Sequence, residues 1–215
     1  MKNNMKKDKL LFKLLEEKTN ERWKRFSKFY ENDSKPFINK ISRDYKKTGK
    51  FPIHVLNVIN LIDKDKYDSG VCILRGGLPY SVLFEANGWK IHYVLCGRKN
   101  EQHGKLRINQ NVDRTLKNIR GKKVLFIENN SPTGNTPTKV LDKLRKTLFI
   151  KKPDLFLDYF FYDIPTPSWL KKPFWKNKER LKKYNKIFVS KKIKVRESQR
   201  EKLVNEFIDK LEKMK

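Results

Sequence analysis

The chain has 215 residues, with 52 lysines and arginines against 24 acidic residues and a formal net charge of +28. That length holds one core with room for extensions, and the charge points to anionic partners such as nucleotides, pyrophosphate or nucleic acid. No run of 18 apolar residues occurs, which excludes a membrane-spanning helix.

The basic N-terminus, MKNNMKKDKLLFKLLEEK, has a short apolar stretch broken by Lys13 and no small-residue cleavage site. It reads as a helix and not as a signal peptide. Apolar positions Leu11, Leu14, Leu15, Trp23 and Phe26 extend the helical register over 10–30. Pro36 and Gly49 punctuate a second helical stretch. Pro52 opens a third, IHVLNVINLID.

From there short apolar runs alternate with helical ones. The runs VCIL (71–74), IHYVLC (91–96), VLFI (124–127) and LFLDYFFY (155–162) are predicted strands. Helices are predicted over 79–87 and 136–148, and GRKNEQHGKLRINQN (97–111) reads as a polar loop without periodicity. The alternation is that of an α/β protein with a mostly parallel sheet. After Tyr162 three prolines and the aromatics Trp169, Phe174 and Trp175 suggest an irregular flap. A short strand IFV (187–189) and a Lys/Glu-laced helix over 197–214 close the chain. The organisation expected is a helical extension over 1–50, an α/β core over 51–162, and a hood-like segment with a helix over 163–215.

The positive charge is spread evenly, at +9 over 1–50, +9 over 51–150 and +10 over 151–215. Compositional bias and a dedicated nucleic-acid surface both account for it. Cys72 and Cys96 fit neither a disulfide framework nor a zinc spacing, so a reduced, cytoplasmic protein is expected. His54, His92 and His103 form no spaced metal set.

Two turns at predicted strand ends carry chemistry. In LRGGLPY (74–80), Gly76 and Gly77 let the backbone approach a ligand, and Arg75 adds a positive charge. A tight strand-to-helix turn is the structural alternative. In VLFIENNSPTGNT (124–136), Thr133, Gly134, Asn135 and Thr136 lie where a helix begins, and the exposed amides there make a nest for phosphate. Capping by Thr133 or Thr136 is the alternative, though it requires neither Glu128 and Asn129 in front nor a glycine between.

Together, VLFIENNSPTGNT resembles the phosphoribosyl-pyrophosphate motif of type I phosphoribosyltransferases, and LRGGLPY resembles that family's pyrophosphate loop. The stretch 97–111 matches the position of its mobile catalytic loop. The resemblance covers roughly residues 65–162. It implies a phosphoribosyltransferase-type α/β fold flanked by helices, with extra helices at both ends. By the same resemblance, Thr133 to Thr136 grip a 5-phosphate, and Arg75, Gly76 and Gly77 hold pyrophosphate with Mg2+. Glu128 binds ribose hydroxyls and touches the metal only indirectly, with Asn129 beside it. Arg98 and Lys99, with Lys105 or Arg107, close over the leaving group. Trp169, Phe174 and Trp175 are candidate stacking surfaces for a nucleobase acceptor, or ordinary core aromatics.

The motif departs from the family in two places. The family pattern has two adjacent acids where this chain has Glu128 then Asn129, and Pro132 stands where purine-specific members often carry an acid. An amide still hydrogen-bonds a hydroxyl but brings no charge to a metal diphosphate. Two readings therefore stay open: a transferase acting on a nucleobase, and a non-catalytic binder of nucleotide or nucleic acid on the same fold. Further candidate partners are a nucleic acid and a second copy of the chain; a membrane is not expected.

Overall fold

The computed structural model describes residues 2–29, 40–98, 106–130, 135–159, 174–190 and 195–214. Helix α1 (Lys2–Lys24) is followed by α2 (Lys40–Thr48) and α3 (Ile53–Leu61). Strand β1 (Ser69–Leu74), helix α4 (Leu78–Ala86) and strand β2 (Ile91–Arg98) then begin the α/β alternation. Strands β3 (Leu106–Asn109) and β4 (Val124–Asn130) lead to α5 (Asn135–Leu148) and β5 (Asp154–Tyr159). The short helix α6 (Lys178–Leu181), strand β6 (Ile187–Val189) and helix α7 (Glu197–Glu212) complete the order.

The six strands form one sheet in the order β3-β2-β1-β4-β5-β6. All neighbours are parallel except β2 and β3. Leu106–Asn109 lies inside the stretch expected to be a loop. It pairs antiparallel with β2, Leu95 opposite Asn109 and Cys96 opposite Ile108, and forms the sheet edge. Its four residues are too few to show a period, and only cross-strand pairing holds them extended.

Strand β1 comes first and sits centrally, with β2 on one side and β4 on the other. The chain therefore winds outward in both directions from the β1/β4 seam, the topological switch point beside which open α/β sheets bind ligands. Both strands are buried on both faces, as their unbroken apolar runs predict.

Helical layers cover the two faces. On one, Leu125, Ile127 and Phe156 pack with Leu11 and Leu15 of α1, Val55, Leu56 and Ile59 of α3, Phe84 of α4 and Phe207 of α7. The terminal helices thus belong to the same apolar cluster as the sheet. Arg200 of α7 ties them further, donating to Asp8 and to the Phe51 carbonyl. On the other face, Phe126, Leu155 and Leu157 pack with Val140, Leu141 and Leu144 of α5, Leu116 and Ile119 of a 3-10 turn, and Phe174 and Tyr184. Among the described residues no helix is long and apolar enough to cross a membrane.

Candidate functional site

The first of the two turns singled out by sequence lies at the β1/β4 seam, against the end of β4 from which the second departs. After β1 the chain turns through Arg75, Gly76 and Gly77 into α4; the Leu74–Arg75 peptide is cis. Gly77 has φ −73 and ψ −12, which any residue adopts, so space and not backbone freedom requires the glycine. A Cβ on Gly77 would stand 2.4 Å from the Ile127 carbonyl oxygen and 2.9 Å from that of Ile73. A Cβ on Gly76 would stand 2.9 Å from Glu128 Oε1 and 3.2 Å from Asn129 Cβ. The glycines thus let the first turn lie directly against the acid and amide of the second.

Their amides differ. The Gly77 N–H donates to the Ile73 carbonyl at 3.0 Å and closes the turn. Gly77 is therefore a packing residue whose N–H is already engaged. The Gly76 N–H has no protein acceptor among the described residues.

Glu128 and Asn129 are adjacent on β4, so their side chains leave the strand on opposite faces. Glu128 is 6% exposed, and its Oε1 accepts from the Asn129 N–H at 2.9 Å. Burial pushes the Glu128 carboxyl up from 4.5 to about 8, against the smaller opposing effect of that hydrogen bond. Asn129 is 3% exposed and faces the α4 layer, where its Oδ1 lies 3.1 Å from the Tyr80 hydroxyl. That hydroxyl donates to Asp158 Oδ2 of β5 at 2.5 Å, and His54 Nε2 of α3 lies 3.9 Å from Asp158 Oδ1. A phenol carries one proton, and the shorter contact assigns it to Asp158. Burial and the neighbouring Asp158 push the Tyr80 phenol well above its usual 10.

Tyr80, Asp158 and His54 escaped sequence reasoning. One signal was present: Asp158 interrupts the apolar run LFLDYFFY, and a carboxyl inside a buried strand needs a polar partner. The partners come from helices 78 and 104 residues upstream, a pairing that only the fold creates.

Asn135 and Thr136 form the first turn of α5 and are half-buried there; Thr133 and Gly134 lie outside the described residues. Arg98 ends β2 and Arg107 lies in β3, while Lys99 and Lys105 fall outside the described residues. Phe174 is fully buried and packs edge-on against Tyr184, so the core occupies the ring proposed for base stacking. Trp175 belongs to the adjoining 3-10 turn, and Trp169 lies outside the described residues.

For magnesium, the described residues hold no group of three or more His, Cys, Asp or Glu side chains able to form a cage. Glu128 is the one carboxylate of the two turns. This donor set suits an ion carried in by a diphosphate, which keeps most of its ligands as water and phosphate oxygens.

Fold and site define the class: a doubly wound α/β protein in which the turn after β1 packs against the carboxyl end of β4 at the topological switch point. No protein-family model and no curated protein matches the sequence. Among solved structures, the chain is similar to the xanthine-guanine-hypoxanthine phosphoribosyltransferase of Helicobacter pylori. The TM-score is 0.41 at 15% identity, covering 64% of this chain and 80% of that one.

Proposed function

We propose that the chain binds phosphoribosyl pyrophosphate at the β1/β4 strand ends and transfers its phosphoribose to a nucleobase, releasing pyrophosphate. The observation that carries this reading is the packing of Gly76 against Glu128 and Asn129. Residues about fifty positions apart in sequence, one in each motif, lie side by side at the strand ends, which supports a ligand spanning both.

In this reading the Gly76 N–H and Arg75 face the diphosphate, and the first turn of α5 at Asn135 and Thr136, with Thr133 and Gly134, takes the 5-phosphate. Glu128 hydrogen-bonds the ribose hydroxyls. Arg98 and Lys99, leading into the β2–β3 connection, supply positive charge over the leaving group. A magnesium ion carried by the diphosphate would neutralise part of its charge, with Glu128 the one carboxylate of the two turns beside it. A base nitrogen attacks the anomeric carbon as the bond to the diphosphate oxygen breaks; the electron pair leaves with pyrophosphate, and the nitrogen loses its proton. Fixed donors on the leaving side stabilise the charge that develops there.

A second reading, a sensor of the same ligand without turnover, is favoured by one observation. Asn129 is turned into the α4 layer, and Glu128 is the remaining acid, buried and held toward its neutral form. Two measurements separate the readings. Titration calorimetry with phosphoribosyl pyrophosphate and magnesium reports binding, and pyrophosphate release with a panel of purines and pyrimidines reports transfer. Binding with release supports the transferase, and binding without release supports the sensor. Absence of binding, in a protein whose Gly76→Ala variant behaves identically, refutes both.

A further inference from the structure

Although positive charge is even along the sequence, it is uneven across the fold. Residues 113–123, 139–152 and 176–186 cover the sheet face that packs Phe126 and Leu155. They carry 17 lysines and arginines against 3 acids. On the opposite face, helices α1, α2, α3, α4 and α7 together carry 15 against 11. Acidic side chains are concentrated on one layer, and the other is left nearly all cationic.

An aromatic ring stands on that cationic layer. Phe149 follows α5 and is 58% exposed, with φ +53. Left-handed backbone after a helix favours glycine or asparagine, so an exposed phenylalanine there is chosen neither for the turn nor for the core. The Arg120 guanidinium lies 4.7 Å from its ring centroid. The Gly121 N–H donates to the Leu148 carbonyl, which brings the 120–123 segment beside the end of α5. Lys146, Lys151 and Lys152 lie within three residues of Phe149 in sequence, Lys122 follows the Gly121 that bonds Leu148, and all four are exposed.

We propose that this face binds single-stranded nucleic acid, with Phe149 as a stacking platform and the surrounding cations tracking the phosphates. A flat ring beside an arginine takes any unpaired base, and cations at intervals around it match a phosphate chain. A duplex hides its base faces and gives the ring nothing to stack on. The proposal is independent of the phosphoribosyl reading, whose site lies at the strand ends.

The test is fluorescence anisotropy with labelled 12-mers of uridine, of thymidine and of a duplex, across a salt series. Both single strands should bind more tightly than the duplex. Phe149→Asn should weaken single-strand binding about fivefold or more at fixed salt and leave the salt slope unchanged. Asparagine tolerates the left-handed backbone, so melting should stay at or above the wild-type temperature and show that the fold is intact. Lys146→Gln with Lys152→Gln should reduce the log–log salt slope by about 1.4, or about 0.7 for each lost phosphate contact. Lys6→Gln with Lys9→Gln on α1 should change neither quantity. Equal binding of the duplex, an unaffected Phe149→Asn variant, or an equal effect from the α1 pair would each overturn the proposal.

Discussion

Glu128→Gln should change how the stability of the protein depends on pH. The wild-type carboxyl is 6% exposed and raised by burial from 4.5 to about 8. Folding therefore takes up a proton between those values, because the native state holds it and the unfolded chain does not. The sign follows: this contribution is fully present below pH 4.5 and is lost as pH rises through 8. With these two values the loss is about 2–3 kcal/mol between pH 5.5 and 7.5. Glutamine keeps an oxygen to accept from the Asn129 N–H but does not titrate. Urea denaturation at several pH values measures the difference. Wild type should lose stability with rising pH more steeply than the variant, the curves diverging across neutral pH. Parallel curves would refute the argument and mean that Glu128 is ionised in the native protein. Binding of a magnesium diphosphate next to the carboxyl should favour its ionised form, so affinity should rise from pH 6 to 8 in wild type and stay flatter in Glu128→Gln.

The two glycines of the first turn should respond differently to alanine. Gly77→Ala drives a methyl into two backbone carbonyls that have no room to yield, and should cost about 1–3 kcal/mol or prevent folding, read by thermal melting. Gly76→Ala meets the movable end of Glu128 and the Asn129 Cβ, and should cost less stability than Gly77→Ala while weakening phosphoribosyl pyrophosphate binding, read by melting and calorimetry. Tyr80→Phe removes the donor to buried Asp158 and should cost about 1–3 kcal/mol in urea denaturation.

The sheet was legible because its central parallel strands are buried on both faces and so appear as apolar runs: VCIL, IHYVLC and VLFI fall within observed strands, as does IFV at the half-buried edge. Strand β3 was not, since a four-residue edge strand is held by its pairing with β2 and not by its own pattern. The turn motifs were legible as chemistry, but the separate duties of Gly76 and Gly77 were not. Which amide is engaged, and which glycine faces a carbonyl, depends on how closely β4 approaches. Phe174 shows the limit from the other side. Its proline-rich, basic setting suggested a flap, yet packing against Tyr184 and the sheet buries the ring completely. The cationic face was hidden for the same reason, since evenly spaced charge becomes lopsided only once α1 and α7, with their acids, fold onto one side.

Asn129 reads in sequence as an acid that has been lost, and the fold supplies a physical cause for it. Position 129 points into the α4 layer, where Tyr80 already donates to the buried Asp158. A second carboxylate there would share one phenolic proton with the first, and two like charges in a buried site raise each other's proton affinity. Asn129→Asp should therefore destabilise the protein, and the deficit should grow from pH 5 to pH 8, because the introduced acid binds its proton more tightly folded than unfolded. If crowding by Asp158 is the cause, exchanging the two groups should relieve it. The double variant Asn129→Asp with Asp158→Asn restores one carboxyl and one amide around Tyr80, and should be more stable than the sum of the single effects by about 1–3 kcal/mol. Urea denaturation of the four proteins at pH 8 closes the cycle. Additive effects would show that the amide at 129 owes nothing to Asp158, and a lost catalytic acid would then be the better account of it.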